Sequence, residues 1–197
     1  MKDRLLKNER ALIDRVKAGD HRAFSALVKK YEQTVYGFSY KVCRNKEKAE
    51  EALQDTFINV YKKIGQFDGR SKFSTWLYSI VTNNCLMKHR KHKIDEKMVY
   101  LDEPPVGVRE HSQAQSIVAW NDTPADQLVN KELRSHLDHA IQRLPLDYRI
   151  VFILRDLENQ TAEETAKILN LSVPAVKSRL RRARFFLHEE LNDYMTH

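Results

Sequence analysis

Thr161-Ala162-Glu163-Glu164-Thr165-Ala166-Lys167-Ile168-Leu169-Asn170-Leu171-Ser172-Val173-Pro174-Ala175-Val176-Lys177-Ser178-Arg179-Leu180-Arg181-Arg182-Ala183-Arg184 decides the fold. It opens as Thr-x-x-Glu. The Thr161 hydroxyl can accept from the Glu164 backbone while the Glu164 carboxylate reaches back, satisfying two donors that a helix start leaves unpaired. Ala166 is small where two helices would cross, and Asn170, four residues on, tolerates the left-handed backbone of a tight turn. Ser172 can cap a second helix, with Pro174 in its first turn, where a missing N–H costs nothing. Val176 and Leu180 anchor that helix to a core. Between Lys177 and Arg184 it carries five basic residues in eight and no acid. A helix of this kind can enter the major groove N-terminus first and meet phosphates and base edges. A solvated face on an ordinary hairpin could carry the same charge. The agreement of capping box, turn and two-sided helix favours a DNA-binding helix-turn-helix.

Working outward, the periodicity stays helical. Upstream, Leu128, Leu133, Leu137, Ala140, Ile141 and Leu144 have helical spacing until Pro145 stops them, and Ile150, Val151, Leu154 and Leu157 begin the next helix. Near the N-terminus a short helix is expected from Glu9 to Lys17. Asp20 then caps a helix carrying Phe24, Leu27, Val28, Tyr31, Val35, Phe38 and Val42. Another carries Ala49, Ala52, Leu53, Thr56, Phe57, Val60, Tyr61 and Ile64, with Gly65 as its expected end. Phe67–Ser71 has turn chemistry, and Phe73, Trp76, Leu77, Ile80, Val81 and Cys85 mark a further helix. Periodicity fails over 95–124, around Asp102–Gly107 and Trp120–Pro124; Trp120 suits a docking anchor and a locally packed residue alike. The expectation is an all-α chain of two helical domains, 8–94 and 125–195, joined by a flexible linker, 95–124.

The net charge of +7 is uneven. Residues 1–95 hold 21 Lys/Arg against 11 Asp/Glu, residues 96–125 hold 2 against 5, and residues 126–197 hold 11 against 11. A basic first domain and a locally basic last helix suit a polyanionic partner. No apolar run is long enough for a membrane span, so membrane insertion is not expected, and the first residues lack a secretory pattern. Cys43 and Cys85, far apart in sequence, form neither a disulfide framework nor a metal spacing, and suggest free thiols of a reduced cytoplasmic protein. His89 and His92 lie among Lys88, Arg90, Lys91 and Lys93, whose charge opposes a metal. With no Gly-rich phosphate loop, nucleophile elbow or ligand cluster, no enzyme, metal or cofactor is expected.

Four segments carry a resemblance. Glu50–Tyr61 resembles the polymerase-binding helix of bacterial sigma factors, and Ser74–Asn84 the following helix, which recognises the minus-ten element. Leu144-Pro145 with Val151–Leu157 resembles the start of their fourth region, and Val173–Arg184 their minus-thirty-five recognition helix. The four stand in the family's order and span nearly all of the chain outside the linker. The absence of further domains is similar to the extracytoplasmic-function group. The resemblance implies binding to core RNA polymerase, through the clamp helices of the largest subunit and the flap of the second-largest, recognition of promoter DNA, and control by an anti-sigma factor.

The residues bear separately on those roles. Glu50, Gln54, Asp55 and Tyr61 fall away from their helix's apolar stripe. A polar, partly acidic face with an aromatic edge suits protein docking, though plain solvent surface looks the same. Arg70, Ser71, Lys72, Lys88 and Arg90 surround the next helix, on which Asn83 and Asn84 offer amides for base edges. The resemblance implies that the loop Phe67–Phe73 and Asn83 hold a flipped base of the minus-ten element, which favours the open duplex. Housekeeping relatives have an aromatic pair where Thr82 and Asn83 stand, which implies weaker melting and stricter promoter demands. Arg155, Lys177, Ser178, Arg179, Arg181, Arg182 and Arg184 are the expected minus-thirty-five contacts, with Asp156 closing a helix end. Thr165 and Arg181 depart from the commoner family residues. About 30 linker residues can reach roughly 100 Å, against ~58 Å between elements about 17 base pairs apart. The acidic linker suits either a basic polymerase channel or a bare tether. The rivals are a stand-alone helix-turn-helix regulator, which needs a dimer, and a sigma-like decoy for an anti-sigma factor, which should lose the basic residues kept here.

Overall fold

The computed structural model describes residues 2–99 and 135–195, and every described element is helical. The N-terminal half holds α1 (Lys2–Lys17), α2 (His21–Cys43), α3 (Lys46–Lys63) and α4 (Phe73–Val99). Asp20 caps α2 as its sequence position suggests, its carboxylate accepting from the Arg22 and Ala23 backbone at 2.9 and 3.0 Å. Arg44, at φ 61, ends α2 in a left-handed conformation, and Asn45 caps α3 by accepting from the Lys48 backbone at 2.7 Å. Three boundaries differ from expectation. The first helix begins at Lys2 rather than Glu9. Gly65 lies inside a 3-10 turn (Ile64–Gln66) that draws α3 to its close, with no left-handed glycine cap. The last helix runs past residue 94 to Val99, so the expected linker begins inside α4.

The C-terminal half holds α5 (residues 135–143), α6 (Leu146–Phe152), α7 (Ala162–Leu169) and α8 (Val173–Met195). The remainder of the expected linker, Trp120, Leu128 and Leu133 lie outside the described residues. Both halves of the Thr161–Glu164 capping box are formed, at 3.0 and 2.8 Å. Asn170 adopts φ 51 and turns the chain from α7 into α8. Unforeseen is a π turn over Ile153–Leu157, which closes with Glu158 N–H donating to the Ile153 carbonyl at 2.8 Å. Asn159 follows at φ 52, so the chain leaves α6 on a bulged, left-handed exit.

The two halves share a core. One apolar cluster joins α1, α2, α3 and α4 through Ile13, Leu27, Phe38, Val60, Leu77 and Val81, and it also takes in Ile150, Ile153, Leu154 and Ile168 from the C-terminal half. A second cluster closes the helix-turn-helix on itself through Ile141, Leu144, Val151, Phe152, Ala166, Val176, Leu180 and Leu187. The run Ile150-Val151-Phe152-Ile153-Leu154 is apolar all round because it is buried on two sides. A linker alone had been expected between the domains; in the structure they are docked. No described helix is long and apolar enough to cross a membrane.

Candidate DNA and polymerase interfaces

On α8, Val176, Leu180, Ala183 and Leu187 are buried at intervals of four, three and four. This stripe turns Ser178, Arg181 and Arg182 to the opposite, exposed side and Lys177 to its exposed flank. Three arginines find partners within the chain. Arg184 forms a bidentate pair with Asp156 at 2.8 and 2.6 Å, and that bond, despite slight burial, raises its pKa above the usual guanidinium value. Arg179 lies 3.5 Å from Asp147, and Arg182 donates to the Tyr148 hydroxyl at 3.2 Å. These contacts hold α8 to α6 and the π turn. Arg155, expected to face DNA, is partly buried beside the π turn, where it donates to the Gln160 carbonyl and its Nε is buried without a partner. Asp156 serves as the Arg184 acceptor rather than as a simple helix-end carboxylate.

The α3–α4 ridge carries two surfaces. Glu50, Gln54 and Tyr61 are exposed on α3, together with Ile58, which is 50% exposed and was not among the expected contacts. Tyr61 is positioned by ring contacts with His21 and Phe24 of α2. Beside it an open cleft of about 870 Å³ lies between α3 and α4, lined by Ile58, Lys62, Lys63, Asn83, Met87 and Arg90 among others. Met87, 66% exposed, was likewise missed; a lone methionine in a basic helix gives no periodic signal.

Asn83 and Asn84 part company. Asn83 is exposed, but Asn84 is 8% exposed, its amide donating to Thr56 and accepting from Asn59, each at 3.0 Å. It joins α3 to α4 with both amide atoms engaged inside the chain, and its burial keeps it from the surface on which Asn83 stands. Thr82 is buried as well, so of the two positions Thr82 and Asn83 only Asn83 faces outward. Lys88 bridges Glu51 and Asp55 at 2.9 and 2.8 Å, so a residue expected on DNA and one expected on the polymerase hold each other. Partial burial pulls the Lys88 ammonium down, and bonds to Asp55 and Glu51 outweigh it, raising its pKa. In the loop before α4, Asp68 accepts from the Arg70 backbone at 3.0 Å and pairs with its side chain, the Ser71 hydroxyl turns to the Lys72 carbonyl at 3.3 Å, and Gly69 takes φ +76.

Lys72 is claimed by the other half, pairing with Glu164 of α7 at 3.0 Å. Around it lie the other polar contacts of the docked interface. Glu158 accepts from Lys41 at 3.1 Å and from the Tyr78 hydroxyl at 2.6 Å, and Thr75 donates to Gln160 at 3.4 Å. Arg149, 6% exposed, donates to the Val42 carbonyl at 2.9 Å and the Leu144 carbonyl at 2.8 Å. Burial, then the nearby Arg44, lowers its pKa to about 10. None of this was legible beforehand, since each residue reads as an ordinary surface polar group.

Residues 27–94 match the family description Sigma-70 region 2, and residues 135–187 match Sigma-70, region 4. The chain is 37% identical to the ECF RNA polymerase sigma factor SigW of Bacillus subtilis over 92% of its own length and 95% of that protein. It is 32% identical to the ECF RNA polymerase sigma-E factor of Haemophilus influenzae, over 95% and 97%. The chain belongs to the extracytoplasmic-function sigma factors. Its function is that of a sigma factor, promoter-directed initiation of transcription by RNA polymerase. The fold agrees. The chain is similar to RpoE of Bartonella quintana, solved in complex with the anti-sigma factor NepR (TM-score 0.68, 23% identity, 86% of this chain and 96% of that one). It is also similar to CnrH, solved with the cytosolic domain of CnrY (TM-score 0.61, 23% identity, 93% and 97%). As a sigma factor, the molecule has its region 2 match on α2–α4 and its region 4 match on α5–α8.

Proposed function

We propose that this sigma factor contacts minus-thirty-five DNA through Lys177, Ser178, Arg181 and Arg182. The observation that carries this reading is the exposed outer face of α8, set opposite its buried stripe. Arg179 and Arg184 brace the helix and sit close enough to reach phosphates once their acidic partners yield. Asn83 and the basic lining residues Lys62, Lys63 and Arg90 suit the melted minus-ten strand, with Arg70 and Ser71 of the preceding loop beside it. Glu50, Gln54, Ile58 and Tyr61 suit the clamp helices of the largest polymerase subunit, being polar and apolar by turns, as protein interfaces are. The flap of the second-largest subunit is the proposed seat for region 4.

An anti-sigma factor is a further proposed partner, because the similar sigma factors RpoE and CnrH were solved with theirs. The chain would then act in the cytoplasm as a non-enzymatic initiation factor, held near the membrane where its anti-sigma factor is membrane-bound. Domains in contact cannot occupy promoter elements roughly 58 Å apart, so the docked form must open before it engages both. The deciding experiment is competition for sigma-free core polymerase against a labelled housekeeping sigma factor. Displacement at near-equimolar protein is the expected result. Failure of the folded, inhibitor-free chain to displace it would favour the decoy reading.

A further inference from the structure

Leu77, Ile80, Val81 and Cys85 of α4 are buried, whereas Met87 on the same helix is 66% exposed. Met87 follows Asn83 by four residues and precedes Arg90 by three, so the three share one exposed face of the helix. All three line the open cleft between α3 and α4, and Ile58, itself half exposed, lines it from α3. Lys88, next to Met87 in sequence, is committed to Glu51 and Asp55 and its side chain is only 22% exposed. At this point of α4 the surface is therefore a thioether rather than an ammonium. Asp55 is the carboxylate among the lining residues of the cleft, and its pairing with Lys88 at 2.8 Å offsets its charge.

An exposed apolar side chain among Lys62, Lys63 and Arg90 restricts what can fill the cleft. The occupant must offer an apolar face to Met87 and negative charge to the cations around it. A paired duplex keeps its base faces inside the stack and shows only edges and phosphates. An unpaired nucleotide offers both requirements, a flat π face and a phosphate beside it. Methionine suits such a face. It is unbranched and polarizable, it packs favourably on aromatic rings, and it is among the apolar side chains that proteins set against unstacked bases.

We propose that Met87 is the apolar platform on which one unpaired base of the minus-ten strand packs, while Asn83 meets a base edge and Lys62, Lys63 and Arg90 hold phosphates. This deepens the reading of the cleft as the seat of the melted strand and rests on it. The contact is open to a base that has left its stack and closed to one still paired. A contact made in one state and not the other shifts the equilibrium toward that state, so Met87 favours the melted promoter. Its role is that of a positioning residue for strand capture.

The test uses holoenzyme assembled from the full-length chain and core polymerase. The probe is a labelled single-stranded oligodeoxynucleotide carrying the non-template minus-ten strand of a promoter that this holoenzyme transcribes, with abasic sites placed one position at a time. In the parent, an abasic site at one position should weaken binding several-fold. In Met87→Ala the intact strand should bind several-fold more weakly, and the penalty at that position should vanish. Met87→Leu, which keeps an apolar surface, should restore most of both. An abasic profile in Met87→Ala identical to the parent's would overturn the proposal. So would weaker binding of Met87→Ala to core polymerase with strand affinity of the saturated holoenzyme unchanged, because Met87 would then belong to a protein interface. Asn83→Ala and Arg90→Ala test the cleft itself. If neither weakens strand binding, the minus-ten reading of the cleft fails; if both do while Met87→Ala keeps the parental profile, only the platform is lost.

Discussion

Asn83 lines the α3–α4 cleft with its amide exposed, whereas the Asn84 amide is committed between Asn59 and Thr56. Residue type alone cannot separate them; a 100° step around the helix does, and packing decides which side of the step is inside. Two variants should therefore differ in kind. Asn84→Ala strands buried partners and should cost about 1–3 kcal/mol in urea unfolding, with promoter preference unchanged. Asn83→Ala should leave unfolding within about 0.5 kcal/mol of the parent while slowing open-complex formation on a minus-ten promoter. The same logic divides the basic residues of α8. Lys177→Ala should weaken promoter-fragment binding and lower its salt slope by about one. Arg184→Ala breaks the pair with Asp156 and should loosen α8 against the π turn even without DNA.

At the level of elements, the helix-turn-helix was the most legible part, because its signals are local. The Thr161 box, the left-handed Asn170 and Pro174 in a first turn act within a few residues of themselves, and the structure has all three. The π turn was not legible, since Ile153–Leu157 would sit equally well in an α-helix. It holds Arg155 partly buried, and from its exit Glu158 and Gln160 reach region 2. Glu164 adds a pH term to α7. The Thr161 backbone N–H, and after it Lys72, outweigh partial burial and hold its carboxyl below the ordinary value of 4.5. Its folded-state pKa is depressed, so its contribution is complete above the ordinary value and is lost as pH falls through the lower, folded one. Glu164→Gln should accordingly be less stable than the parent at pH near 6, a gap that denaturant titrations should find closing toward pH 3.

For the whole molecule, the helical class was readable from periodicity and the order of the two regions from the resemblance of four motifs, but their docking was not. Long-range burial of Ile150, Ile153, Leu154 and Ile168 leaves no trace beyond a run that is apolar on every side. Glu158, holding Lys41 and Tyr78 together, is the residue whose loss should expose that interface. Glu158→Ala should reduce the yield of carbodiimide cross-linking between Lys72 and Glu164 while leaving the capping box and helicity intact, and an equal yield would mean the apolar contacts suffice alone. The shared core also has a consequence in time. Ile168 emerges from the ribosome about 70 residues after the end of α4, a delay of roughly 3–14 s at the usual pace of bacterial translation. Through that interval the newborn N-terminal half carries an unfilled apolar seat made for the second half of its own chain. Slowed elongation or a premature stop beyond α4 would leave that seat open to chaperones and to other nascent chains.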